Sequence, residues 1–86
     1  MNVRPQQYER FGAWLRSRAE ARITVDFAEI EQIIGAPLPP SAREHKPWWS
    51  NSPTHPLARA WLMAGWEAPR QGLDLSGQTI TLARCR

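Results

Sequence analysis

The chain has one cysteine, Cys85, one lysine, Lys46, and one tyrosine, Tyr8. A lone cysteine excludes an intramolecular disulfide framework, and a reducing compartment suits it. His45 and His55 stand without metal-ligand spacing and without a cysteine or carboxylate pattern around them, so no metal site is expected. No apolar run reaches the roughly 18 residues of a spanning helix, and no signal-peptide pattern is present. The expectation is a cytoplasmic protein with no membrane role. There is no Ser/His/Asp set, no nucleophilic cysteine in context and no phosphate-cradling glycine loop. Glu29 and Glu31 are two apart on a helix and face different ways. The chain does not read as an enzyme, and no cofactor is expected.

What the chain has is tryptophan. Four of its five lie between residues 48 and 66: Trp48, Trp49, Trp61 and Trp66. Ser50, Asn51, His55 and Arg59 are interleaved with them. An 86-residue chain buries only about 60% of its unfolded surface, so large aromatics are an efficient way to fill its core. The same residues on a surface would stack on a flat partner. Trp48 and Trp49 are neighbours in a turn-rich stretch and cannot both point inward, which implies one core indole and one partly exposed.

The charge is uneven. The formal net charge is +3 and the isoelectric point about 10.0. Residues 1–42 carry five arginines against five acids, whereas residues 43–86 carry six basic groups against three acids. The excess lies in the tryptophan-bearing half, and a basic face is the footprint of an anionic partner.

Periodicity divides the chain into short elements. Residues 5–20 read as an amphipathic helix with Tyr8, Phe11, Leu15 and Ala19 on one face and Trp14 at its edge. Arg22–Phe27 alternates as a strand. Asp26 and Glu29 form a capping-box pattern for a helix over 27–34, with Phe27, Ile30, Ile33 and Ile34 buried and Gly35 as the stop. Ser41 and Glu44 suggest a second capping box, opening a short turn limited by Pro47. A helix over about 54–64 follows, capped by Ser52 or Thr54, and Gly65 ends it. Trp66–Ala68 and Leu73–Leu75 read as strand around an Arg70-Gln71-Gly72 kink. Ser76-Gly77-Gln78 then turns into the alternating strand Thr79–Arg84, with Ile80 and Leu82 inward. The expectation is one α+β domain over residues 1–86, with an N-terminal helix in 1–21 and a core region in 22–86. Its type is winged helix-turn-helix-like: three helices, a small antiparallel sheet and a C-terminal hairpin.

The words Phe27-Ala28-Glu29-Ile30-Glu31-Gln32-Ile33-Ile34-Gly35, Leu38-Pro39-Pro40-Ser41-Ala42-Arg43, Trp48-Trp49-Ser50-Asn51 and Ala60-Trp61-Leu62-Met63-Ala64-Gly65-Trp66 carry a resemblance. Over residues 23–86 the chain resembles a small prokaryotic domain of unknown function. That domain has the pattern F-x-E-I-E-x-I-I-G, L-P-x-S-A, W-W-x-N, A-W-x-x-A-G-W. The resemblance implies a small bacterial or phage protein, alone or appended to a larger one, in nucleic-acid transactions or phage–host conflict. It implies no catalytic chemistry.

Together these readings give a nucleic-acid-binding module, with double-stranded DNA as the expected partner and transcriptional regulation as the expected role. In a winged helix the third helix enters the major groove and the hairpin touches the backbone. The candidate contacts are Arg43, Lys46, His55 and Arg59 on and before that helix, and Arg70, Arg84 and Arg86 on the wing strands and tail. Trp48 is a stacking surface and Asn51 a base-edge reader. Each has a structural alternative: Asn51 satisfying loop backbone, the arginines guarding strand edges. The N-terminal helix is the expected homodimer surface. The competing reading is a protein-interaction module, a small inhibitor or adaptor, anchored by exposed Trp and Arg.

Overall fold

The computed structural model of the chain describes residues 5–85. Arg86 lies outside them. The fold is α+β, with four helices and a small open antiparallel sheet. The helices are α1 (Pro5–Arg16), α2 (Phe27–Ile34), α3 (Pro40–Glu44) and α4 (Pro56–Met63), and a 3-10 turn over Lys46–Trp49 lies between α3 and α4. The strands are β1 (Arg22–Asp26), β2 (Trp66–Glu67), β3 (Leu73–Asp74) and β4 (Thr79–Arg84).

β4 is the centre of the sheet. β1 runs antiparallel along one edge, Arg22 opposite Ala83 through Asp26 opposite Thr79. The other edge is shared by β2 at one end, Trp66 opposite Arg84, and β3 at the other, Leu73 opposite Ile80. The kink expected at 70–72 separates β2 from β3, and the Thr81 amide spans it by donating to Gly72 O at 2.7 Å. The hairpin turn is held by Asp74, whose Oδ1 accepts from the Gly77 amide at 2.9 Å and the Ser76 hydroxyl at 3.0 Å. Those two bonds, the Gly77 amide first, hold the Asp74 carboxyl below its usual range.

The helical faces follow the apolar spacing. α1 buries Tyr8, Phe11 and Leu15, α2 buries Phe27, Ile30 and Ile34, and α4 buries Leu57, Ala58, Ala60 and Trp61. Ile80 and Leu82 reach the core from β4 and are fully covered, while Ile33 is half-buried. The Asp26 capping box forms: Asp26 Oδ1 accepts from the Glu29 amide at 2.7 Å, and the Asp26 amide donates back to Glu29 Oε1 at 3.3 Å. Gly35 ends α2 at φ 74°, the left-handed conformation glycine adopts without strain.

Four expectations need correction. α1 stops at Arg16 rather than 20, and Ala19 is exposed. The Ser17 hydroxyl and amide both bond back to Trp14 O, at 2.6 and 3.1 Å, tightening the last turn so that the helix cannot continue. The Ser41/Glu44 box does not form, because the helix starts one residue earlier at Pro40 with Pro39 extended at its cap. That makes α3 a fourth helix, where three were expected. Neither Ser52 nor Thr54 caps α4; their hydroxyls bond each other at 2.8 Å, and α4 opens at Pro56, which needs no partner for a missing N–H.

α1 lies across both α2 and α4. Gly12 makes the α1–α4 approach close: a Cβ there would sit 2.8 Å from Ala60 O. Gly12→Ala should therefore lose stability although alanine is the better helix former. Overpacking of about 1–3 kcal/mol opposes a propensity gain of about 0.5–1 kcal/mol. A lower urea midpoint for the variant checks this; a higher one would mean the two helices part without cost.

Candidate nucleic-acid interface

The 3-10 turn decides which tryptophan goes inside. At about three residues per turn, consecutive side chains diverge by about 120°. Trp49 therefore points inward, 3% exposed, while Trp48 is half-buried. Trp49 stacks between Phe27 of α2, 4.6 Å away at 15°, and Trp61 of α4, 6.4 Å away at 2°. Its indole donates to Ala42 O at 2.6 Å. Trp48 meets Trp49 edge-on at 4.7 Å and the His55 ring edge-on at 4.4 Å. The expected split, one core indole and one partly exposed, holds.

Asn51 ties this loop to the sheet. Its Oδ1 accepts from Trp61 Nε1 and from the Ala68 amide, both at 2.8 Å, and its Nδ2 donates to Ala68 O at 2.8 Å. Side-chain amide and Ala68 backbone thus pair like two strands. Both Oδ1 lone pairs are taken, so bidentate reading of a base edge would require breaking these bonds. The structural alternative accounts for Asn51.

The cations separate into two groups. Arg43 sits 2.9 Å from Glu31 Oε2, donates to Gln78 Oε1 at 2.7 Å and lies over the Phe27 ring. Arg84 donates to the carbonyls of Arg18 and Glu20 and lies over the Trp66 ring at 4.9 Å. These two hold the fold together. Lys46 and Arg70 are exposed and line one groove of 370 Å³ together with Ser50, Asn51 and Pro69. No acidic residue lines it. Arg59 faces elsewhere, into a groove between α1 and α4 that shares no residue with the first. Helical spacing had placed Arg59 and His55 on one face, but His55 is α4's N-cap and turns toward Trp48.

The hairpin tip carries no cation: it is Leu75-Ser76-Gly77-Gln78, beside Asp74. Trp14, expected at a dimer surface, is half-buried, stacked on Phe11 at 5.8 Å and covered by the Arg18 guanidinium at 5.3 Å. Sequence reading missed Glu31, which accepts from the Leu38 amide at 2.7 Å while pairing with Arg43. No group of three or more histidine, cysteine or acidic side chains suited to a metal occurs among the described residues. No helix there is long and apolar enough to cross a membrane.

A family profile matches residues 8–84. The chain belongs to DUF7662, a domain of unknown function. No curated protein and no solved structure is significantly similar to it. The match spans the core residues of all four helices, the whole sheet and the Phe27–Trp49–Trp61 stack.

Two measurements check the loop. Asn51→Ala removes three hydrogen bonds at about 0.5–1.5 kcal/mol each and should lower unfolding free energy by about 2–4 kcal/mol in urea. A loss below about 0.5 kcal/mol would mean water replaces the amide. His55 gives the second. Burial lowers its pKa from the ordinary 6.5, and Nδ1 is covered without a partner. The folded state therefore favours the neutral ring. Its contribution is complete above pH 6.5 and declines as pH falls, because the unfolded chain takes up the proton first. The urea midpoint should drop between pH 7 and about 5, and His55→Phe should flatten that drop. An unchanged profile in the variant would contradict it.

Proposed function

We propose that this DUF7662 domain binds double-stranded DNA as a variant winged helix. The element order, helix, strand, helix, helix, then strands with a hairpin, supports that reading. So does a last strand lying between the first and the β2/β3 edge. Two departures shape the proposal. α3 and the 3-10 turn lengthen the connection between α2 and α4, and the hairpin tip is uncharged.

The observation that carries it is the groove between Lys46 and Arg70. Two exposed cations from segments distant in sequence converge on a concave surface with no carboxylate. A phosphate run seated there displaces condensed counterions, and the exposed Ser50 that also lines the groove offers a neutral hydrogen bond. In this reading, affinity comes from backbone contacts made by the 3-10 turn and the β2–β3 connection, in place of the wing tip.

Anisotropy of a labelled 30-base-pair duplex at about 50 and 200 mM salt tests it. Two phosphate contacts give a log–log salt slope near −1.8, so Kd should rise about tenfold between those concentrations. Lys46→Ala with Arg70→Ala should bring the slope close to zero, while Arg84→Ala leaves it unchanged in folded protein. No binding at either salt would reject the proposal.

A further inference from the structure

We infer that the second groove, between α1 and α4, docks an acidic amphipathic helix of a partner protein. The groove holds 460 Å³, within the range of about 300–1,000 Å³ typical of binding clefts. Its floor is Gly12 and Ala60, which bring the two helices together and leave a shallow channel between them. Met63 forms one wall and is 65% exposed, the one large hydrophobic side chain so open among the described residues. An unbranched, polarizable thioether adapts to whatever apolar surface meets it. Helix-in-groove recognition uses this kind of surface.

Charge selects the occupant. Arg16 and Arg59 flank the channel and Glu9 is its one acid. Arg16 is held in place by a bond from Nη2 to Met63 O at 3.4 Å, the C-terminal end of α4, and keeps its other donors for a ligand. Among the described residues Arg59 makes no ion pair, Glu9 on the same groove included. A helix with leucine-type anchors and flanking carboxylates matches both features. A second copy of this face does not: each copy adds two guanidiniums against one carboxylate, so the pair repels. A phosphate backbone fits less well, since Glu9 and the apolar floor oppose it, whereas a helix can set a neutral or basic residue against Glu9. This groove is independent of the one between Lys46 and Arg70, and the two proposals fail separately.

The test uses the 86-residue protein and a labelled 15-residue helical peptide. The peptide carries leucine at i, i+3, i+4 and i+7 and glutamate at its flanking positions; a control has lysine for every glutamate. Anisotropy should give micromolar binding for the acidic peptide and at least about tenfold weaker binding for the basic one. Arg16→Glu with Arg59→Glu should reverse that preference. Glu9→Lys should tighten the acidic peptide severalfold, and Met63→Ala should weaken it about tenfold. All four positions are exposed; circular dichroism checks that each variant keeps the fold, Arg16→Glu above all because it removes the bond to Met63 O. The Met63 methyl resonance should shift with the acidic peptide alone. Absence of binding at millimolar peptide, equal binding of both peptides, or shifts that avoid Met63 would overturn the inference. Self-association abolished by Met63→Ala would assign the groove to a second copy, and duplex DNA that shifts Met63 and needs Arg16 and Arg59 would assign it to nucleic acid; either overturns it.

Discussion

The stack of Phe27, Trp49 and Trp61 is the constraint on which the rest of the structure depends. α2 and α4 are short, and the chain between them, residues 35–55, is rich in proline and turns. Nothing in that connection would fix the two helices by itself. Trp49 does so by stacking with a ring from each helix, while its N–H is satisfied by Ala42 O. Offset aromatic pairs contribute about 0.5–1.5 kcal/mol beyond their buried area. Two such contacts through one side chain are a large share of the stability of a domain this size. Trp61 then passes the constraint to Asn51, and Asn51 passes it to Ala68, just after β2. One line of contacts therefore joins α2, the 3-10 turn, α4 and the β2–β3 connection. Lys46 and Arg70 sit at two points along it, which fixes their separation.

Arginine does a second structural job. Arg10 donates to Ile34 O at the end of α2, Arg16 to Met63 O at the end of α4, and Arg84 to the carbonyls after α1. Cations at helix C-termini satisfy orphan carbonyls and meet the negative end of the dipole. Arg43 and Arg84, two of the six basic groups in the basic half of the chain, are thus engaged inside the fold. The cations left for partners are few, and they fall into two grooves rather than one continuous face.

The local rules were legible. The Asp26 box, the Gly35 stop, the apolar faces of α1 and α2, the hairpin and the inward Ile80 and Leu82 follow from spacing and capping residues within a few positions of each other. The split between Trp48 and Trp49 was legible from adjacency alone. The start of α3 was not, because Ser41 and Glu44 match a capping box as well as they match positions inside a helix begun by Pro40. Asn51's backbone partner Ala68 lies 17 positions away and is brought close only by the fold, so spacing could not show it. Arg43's partners Glu31 and Gln78 were not legible either, because they lie 12 and 35 positions away in sequence. The α1–α4 groove could not be seen, since Glu9, Gly12 and Arg16 on one helix meet Arg59 and Met63 on another only after docking. What sequence missed is what tertiary contact creates.

In the proposed function, the aromatic frame presents Lys46 and Arg70 as one anion-binding surface. Two-dimensional NMR of nitrogen-15-labelled protein titrated with a short DNA duplex tests it most directly. Amide shifts should cluster at Lys46, Ser50, Ala68 and Arg70, with the hairpin tip and the α1–α4 groove unmoved. Shifts centred on Gln78, or on Gly12 and Met63, or none at all, would contradict it.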